Sequence, residues 1–441
     1  MAEEERFTRV KHSPKADAVH AANWCLEFAG LTPSDLDVVA IGWDLGRMLP
    51  RFGGEWDFGA ERSFLKRRFG WEFSGSQPEL VCVNHHQAHA ASAFHGSGFE
   101  AAAVLVNDGN GEDESISIWE ARRGEPMVRR HVWPRSHSIG YLYESACDAI
   151  GLDFLQAGKT MGLASFGRAR GTEARQLFET EGVDFRPPFQ LDYRAAWGDV
   201  TSQWAKVFAE FGQTPRTTAS RELANDEIAV QIAWSAQATV ERMVPALVEE
   251  ARRLTGLEEV CLAGGVALNC STNGQLEGPV YVPPVPHDAG VSIGAAWAVC
   301  PPRVAVEMDP YQGPVVGSPT GDVAGWTKAE LTPQAVADRL VEGQVGAVAA
   351  GRMEVGPRAL GHRSIIAIPS SEAVRDRVNT MKGRELWRPL APIGLEGANG
   401  RQWTGSSRLQ RYMLGAAEVT EQGLADIPAA VHVDRTARAR W

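Results

Sequence analysis

The sequence predicts an α/β fold divided into at least two domains, on three observations. Apolar runs of strand length at 37–42, 101–106 and 259–262 are separated by stretches with helical apolar spacing. The last two runs lead straight into glycine-bearing turns, at 107–111 and 263–265. The chain is 441 residues long, more than one ordinary core accommodates. With 44% hydrophobic and 22% charged residues, the composition is that of globular domains rather than disordered or fibrous chains.

The bulk numbers also exclude some functions. Net charge is 44 − 55 = −11, which argues against a general nucleic-acid or anionic-membrane binder but leaves room for a local basic pocket. The six cysteines (25, 82, 147, 261, 270 and 300) form no CxxC pair and lie mostly in apolar contexts. They are expected to be reduced and buried, as in a cytoplasmic protein. The opening MAEEERF is acidic and has no apolar core, so no signal peptide is expected. No apolar run approaches the roughly 18 residues of a membrane span. The sequence carries no signal of oligomeric state.

In chain order, a charged segment at 3–12 precedes a helix with Ser13 as N-cap, Pro14 at its first position and Gly30 at its end. Val19, Ala22, Leu26 and Phe28 form its apolar face. Residues 37–42 read as a buried strand. Residues 43–78, rich in Trp, Phe, Arg and Gly, read as a loop with one helix near 62–69. The short β-run 81–83 stops at Asn84, a good N-cap with Gln87 at N3. The helix it starts would carry His85, His86 and His89. His85 and His89, four residues apart, share one face and make half of a transition-metal site. His86 turns elsewhere, toward a substrate, and is a catalytic candidate. The alternative is a polar helix start whose histidines cap or pack. Three histidines in five residues, of 11 in the chain, favour a ligand or catalytic cluster.

The strand at 101–106 runs into Asn107-Asp108-Gly109-Asn110-Gly111, and 115–121 pairs with 128–133 about Arg123-Gly124. A strand ending in Asp, a glycine-rich turn and a hairpin is the local pattern of actin-like and sugar-kinase-like ATPases. There the amides of glycines such as Gly109 and Gly111 cradle phosphate and the Asp holds a metal. A plain Asp-Gly hairpin turn gives the same string. Residues 140–151 read as helix, and 158–167 (GKTMGLASFG) as a glycine-punctuated loop with one cation, the catalytic candidate Lys159. Residues 168–230 are mixed, and 228–253 form a long amphipathic helix. The strand 259–262 enters Gly264-Gly265 and reaches Asn269. Either the glycines bring amides to a phosphate or adenosine, or they serve close helix–strand packing. Asp288, at a helix start, is either an N-cap or the completion of a metal site with His85, His89 and Asp108.

Residues 306–331 are Pro/Gly-rich and are expected to link a first domain, 1–305, to a second, 332–441. The second opens with Thr332 as N-cap, Pro333 and Gly343 bounding a helix, then a strand at 345–350. Arg352, Arg358 and Arg363 follow within GRMEVGPRALGHRS, and Lys382, Arg384 and Arg388 come later. Arginines beside glycine and proline turns suggest bidentate anion binding.

Together, HHQAHA, VLVNDGNGE, KTMGLASFG, LAGGVALN, HDAG, GRMEVGPRALGHRSI and LWRPLAPI resemble, in order, the O-carbamoyltransferase family of nodulation-factor and antibiotic tailoring enzymes. The resemblance covers most of residues 3–395. It implies an actin-like ATPase domain followed by a partial YrdC-like domain. The first is similar to the universal transferase of tRNA threonylcarbamoylation. Carbamoyl phosphate and ATP would give carbamoyl-adenylate at the second site, and the first would pass the carbamoyl group to a small hydroxylated acceptor. The resemblance implies His85, His89, Asp108 and Asp288 as ligands of a divalent metal. A mixed N/O set suits iron, manganese or zinc, with magnesium accompanying the nucleotide. It assigns Gly109, Gly111, Gly264, Gly265 and Asn269 to nucleotide loops, and Arg352, Arg358, Arg363, Lys382 and Arg388 to carbamoyl phosphate. Family chains begin earlier, with a His-Asp turn, and run past HVDRTARARW to a Thr-Ser-Phe-Asn loop, so both ends are expected to be short and activity impaired. A tRNA-directed transferase would need a basic surface, and a hydrogenase-maturation carbamoyltransferase would need Cys-rich zinc fingers. A nucleotide-binding remnant is the non-catalytic alternative.

Overall fold

A five-stranded mixed sheet carries the N-terminal half. Its spatial order is Val128–Pro134, Glu114–Arg122, Ala101–Asn107, Val260–Ala263 and Val280–Tyr281. The first three strands are antiparallel neighbours and the last two pairings are parallel. The central Ala101–Asn107 strand is an unbroken apolar run because both its faces are covered, and Ala102 to Val106 are buried. The computed structural model describes all residues except 15, 49–60, 74, 182, 193–194, 213–221, 318–323, 331, 396–397 and 441. Residues 49–60 of the expected loop and 318–323 and 331 of the expected linker thus lie outside the described residues.

The long helix Glu227–Thr255 covers one face of the sheet. Asp226 caps it, accepting from Ile228 and Ala229 N–H, and Gly256 ends it at φ 70°. Its buried face runs from Ala229 to Ala251 and joins the main core with Leu105, Ile116, Ile118 and Leu262. Each fully buried aliphatic side chain contributes roughly 1.5–3 kcal/mol. The other face receives the His85–His95 helix, with Val291–Val299 packed across it so closely that Gly294 leaves no room for a Cβ against the Ala88 carbonyl.

Three elements differ from expectation. The first long helix spans Val19–Ala29, not 14–29. Its start is set from afar: the Glu4 carboxylate takes the Ala21 amide at 2.8 Å and the His20 amide at 3.4 Å, so Ser13 and Pro14 stay outside. The strand expected to be buried at 37–42 is Val38–Ile41, half-buried throughout and paired in parallel with Glu79–Cys82 in a separate two-stranded sheet. Residues 158–167 are not a loop but the middle of the helix Ala157–Arg170. Its glycines mark close approach: a Cβ on Gly167 would lie 2.5 Å from Trp234, and one on Gly162 would touch Trp387.

The C-terminal half has the helix Pro333–Val341, capped by Thr332, and an antiparallel pair Gly346–Ala349 with Arg363–Ile366. The helix Glu372–Met381 follows, then a three-stranded antiparallel sheet of Trp403–Thr404, Ala417–Val419 and Thr436–Ala437. The halves interlock. Ala416 N–H donates to the Cys270 carbonyl at 2.7 Å, Gly356 N–H to Glu3 at 3.0 Å, and the His432 ring meets the Gly162 carbonyl at 2.8 Å. The described first part of 306–331 is docked: Met308 is buried and its N–H donates to the Gly96 carbonyl. No helix among the described residues is long and apolar enough to cross a membrane.

Candidate metal centre and anion pocket

Asn84 lies two residues past the Glu79–Cys82 strand, and its side chain accepts from Gln87 N–H, so the helix begins at His85. The first turn then lies against the end of the central strand. His85 and His89 point the same way, with their Nε2 atoms 3.2 Å apart. Asp108 approaches from the end of Ala101–Asn107, with its Oδ2 3.3 Å from His85 Nε2 and 3.6 Å from His89 Nε2. Asp288, from the turn before Val291–Val299, places Oδ1 at 3.5 and 3.4 Å from the same nitrogens. All four donor atoms lie within 4.8 Å of one another. The histidines are fully buried, while 67% of the Asp288 side chain is exposed, so the centre opens on the Asp288 side.

Second partners aim these groups. His85 Nδ1 lies 3.0 Å from the Gly42 carbonyl, so Nδ1 carries a proton there and Nε2 faces the centre. Trp43 stacks on the His85 ring, 3.7 Å between centroids. The other Asp108 oxygen, Oδ1, accepts from Gly265 N–H at 2.7 Å. Burial opposes charge on His85, but Asp108 and Asp288 outweigh it and lift its pKa to about 10; His89 is raised on the same balance. Against desolvation at the centre and, for Asp288, the repulsion of Asp108, the two imidazoles hold both aspartates below the usual carboxylate range.

His86 turns away from this group. Its Nδ1 meets Ser117 Oγ at 2.7 Å, and its Nε2 is buried without a partner. Burial drives its pKa down to about 3 against the pull of Glu114, so the ring is neutral. Gly111 makes room for it: a Cβ there would lie 2.7 Å from His86 Cδ2. Gly109 packs against Tyr141. Gly264 sits at φ 90°, where a Cβ would lie 2.3 Å from the Asn107 carbonyl oxygen, a close-packing role. The Gly265 amide is spent on Asp108, and Asn269 caps the Cys270–Asn273 turn while pairing with Gln237. Neither of these two groups offers the polar atom expected of a nucleotide loop.

The predicted cations divide. Arg352 donates to the Gln312 and Gly313 carbonyls and lies over the Phe28 ring, a structural position. Arg363 pairs with buried Glu354 at 2.9 Å and donates to the Gly356 carbonyl. Arg358, Lys382 and Arg388 instead gather with Arg384 and Arg438. Burial lowers Arg358, and Arg438 and Arg388 lower it further. Arg384 falls to about 10 through burial, Arg388 and Arg438. Lys382 falls through desolvation and the neighbouring Arg384 and Arg388. Such mutual depression marks cations facing one another with too little carboxylate among them. Glu385 is beside them, but Lys159 Nζ already holds its Oε1 at 2.7 Å. Lys159 therefore belongs to this pocket and not to the histidine centre. A small cleft beside it is lined by Ser165, Ser271, His432, Thr436 and Arg438.

Sequence comparison decides the family. A model described as the carbamoyltransferase N-terminus matches residues 73–297, and one for the carbamoyltransferase C-terminus matches 337–441. The chain belongs to the carbamoyltransferase family. Nodulation protein NolNO of Sinorhizobium fredii is 31% identical over 99% of this chain, which spans 66% of that relative's length. Nodulation protein U of Azorhizobium caulinodans is 29% identical over 99% of the chain and 81% of its own length. Among solved structures, full-length HypF in its phosphate- and nucleotide-bound form aligns at 16% identity with a TM-score of 0.27, covering 51% of this chain and 43% of that one. At that score the alignment fixes neither fold nor ligand.

In this member of the carbamoyltransferase family, sequence reasoning passed over Glu112, Trp43 and Arg438. Glu112 is fully buried, accepting from Asp44 N–H at 2.8 Å and from His85 N–H at 3.1 Å. Its signal was an acidic residue inside a glycine turn leading into an apolar strand. Arg438 sits in the arginine-rich end of the chain, 435–440, where no spacing distinguishes it from its neighbours.

Proposed function

We propose that this chain is an O-carbamoyltransferase that works with a divalent metal and two separate sites. The reading rests above all on the convergence of His85, His89, Asp108 and Asp288. The histidine nitrogens lie 3.2 Å apart and 3.3–3.6 Å from the two carboxylate oxygens, and all four donor atoms fall within 4.8 Å of one another, a grouping that fits ligands of one transition-metal ion. The two nitrogens and two oxygens, with His85 and Asp108 each braced by a backbone group, fit iron, manganese or zinc. When bound, the metal would supply Lewis-acid polarisation of a carbamoyl or phosphoryl oxygen.

The chain's own residues divide the remaining work. Arg358, Lys382, Arg384, Arg388 and Arg438 hold carbamoyl phosphate beside ATP and offset the charge of carbamoyl-adenylate formation. At the histidine centre the acceptor hydroxyl attacks the carbamoyl carbon, the bond from that carbon to the adenylate oxygen breaks, and AMP leaves. The departing AMP phosphate takes up the hydroxyl proton; His86, buried and pushed down to about 3, stays neutral as a hydrogen-bonding group. Burial around His85 and His89 keeps competing water low. A net charge of −11 favours a small hydroxylated acceptor over a nucleic acid.

The test is product mass spectrometry with the full chain, carbamoyl phosphate, ATP and a panel of hydroxylated metabolites, expecting a carbamoyl ester and AMP. Arg358→Lys should weaken carbamoyl-phosphate binding roughly tenfold, because an ammonium cannot clamp phosphate bidentately, while leaving metal content unchanged. Joint loss of both ligands, or of neither, contradicts two separate sites.

A further inference from the structure

We infer that Glu112 is a positioning residue that sets the donor geometry of the histidine centre through two segments at once. The inference rests on the metal reading above. Three segments meet at this carboxylate. The first is the loop after Val38–Ile41: Asp44 N–H donates to Glu112 Oε1 at 2.8 Å. The second is the start of the histidine helix: His85 N–H reaches both oxygens, at 3.1 and 3.2 Å, and the Asn84 side-chain amide donates to Oε2. The third is the glycine turn that bears Glu112 itself and leaves the strand ending at Asn107, next to Asp108.

What these segments carry gives the link its effect. Gly42 supplies the carbonyl on His85 Nδ1, and Trp43 supplies the stacked indole that fixes the plane of the ring. Both residues immediately precede Asp44. The helix supplies His85 and His89 themselves. One buried carboxylate thus locks the backbone of His85 and the two groups that orient its ring. Glu114 reinforces the arrangement by accepting from the same Asn84 amide at 3.0 Å. Glu112 is not one of the centre's four donor residues. It acts through His85.

The substitution Glu112→Gln preserves size but turns one acceptor oxygen into an NH2 group that faces existing donors. Either the Asp44 N–H or the pair from Asn84 and His85 then loses its acceptor. Partners of metal ligands are typically worth ~10–100-fold in metal affinity, and a loss in that range is expected here. The probe is Zn2+ alone, titrated calorimetrically into metal-stripped full chain, with the d–d spectrum of the Co2+-loaded chain as a second readout. Thermal unfolding in EDTA measures the fold separately. Glu112→Asp, which keeps the charge but shortens the reach, is expected to fall between Gln and wild type. Trp43→Phe keeps a stacking ring and should stay within about threefold of wild type, a change too small to mimic loss of a metal-ligand partner. If wild type takes up no Zn2+, the metal reading fails and this inference with it. If wild type binds Zn2+ and folded Glu112→Gln binds it equally tightly with an unchanged Co2+ spectrum, this inference alone fails.

Discussion

At the scale of single residues, the histidine centre is a contest between protons and metal. His85 is lifted to about 10 by Asp108 and Asp288, against an ordinary value near 6.5. A raised histidine contributes stability that is fully present below the unfolded value and is lost as pH rises through the folded one. In the metal-free protein the centre should therefore hold a proton at neutral pH and weaken its grip only toward pH 10. That proton must leave before Nε2 can bind a metal. Apparent metal affinity should climb with pH from 7 to 9, roughly tenfold per pH unit for each proton displaced. Calorimetry in buffers of different ionisation heat counts those protons, and a pH-independent affinity with no proton release would contradict the assignment. The histidine pair was legible in the sequence because its spacing is local. Its partners were not equally so: Asp108 and Asp288 are 180 positions apart (288 − 108), and they meet through two parallel pairings, of Ala101–Asn107 with Val260–Ala263 and of Val260–Ala263 with Val280–Tyr281.

At the scale of elements, legibility followed where the controlling interaction sits. The His85–His95 helix starts where its sequence says because Asn84 caps it from the adjacent position. The Val19–Ala29 helix starts late because its cap, Glu4, lies 17 residues before Ala21 and no local pattern reports it. The Ala157–Arg170 helix was hidden by three glycines, which individually cost about 1 kcal/mol in a helix. Packing reverses the meaning of Gly167, where a Cβ would lie 2.5 Å from Trp234. Asn84 combines a local cap with non-local bonds to Glu112 and Glu114. Asn84→Ala should cost about 1 kcal/mol for the cap and a further ~1–3 kcal/mol for carboxylates left short of a donor. Denaturant unfolding checks the sum. A loss below about 0.5 kcal/mol would mean the helix start is held by other contacts.

At the scale of the whole molecule, Lys159 joins the halves and tunes the anion pocket. It stands on the Ala157–Arg170 helix of the N-terminal half and pairs with Glu385 of the C-terminal half, with only 16% and 12% of the two side chains exposed. Solvent therefore screens this pair weakly. Glu385 Oε2 also lies 3.6 Å from Arg388, and Glu385 is the carboxylate that Arg384 and Arg388 both feel. While Lys159 holds it, its negative charge is shared outside the cation cluster. In Lys159→Ala that charge turns wholly to the arginines and cancels part of the field that binds phosphate. Inorganic phosphate affinity should fall at least about threefold, since a unit charge about 4 Å away is worth roughly 1 kcal/mol in bulk water and about 4 kcal/mol at an effective dielectric of about 20. Adding Glu385→Gln removes the unwanted carboxylate, and the double variant should return close to wild-type affinity. Zn2+ uptake should be unchanged in both, because Lys159 contributes nothing to the group of His85, His89, Asp108 and Asp288. Phosphate titration of the three proteins decides it. If Lys159→Ala and the double variant lose affinity equally, Lys159 touches the anion directly instead of restraining Glu385, and the pocket extends across both halves of the chain.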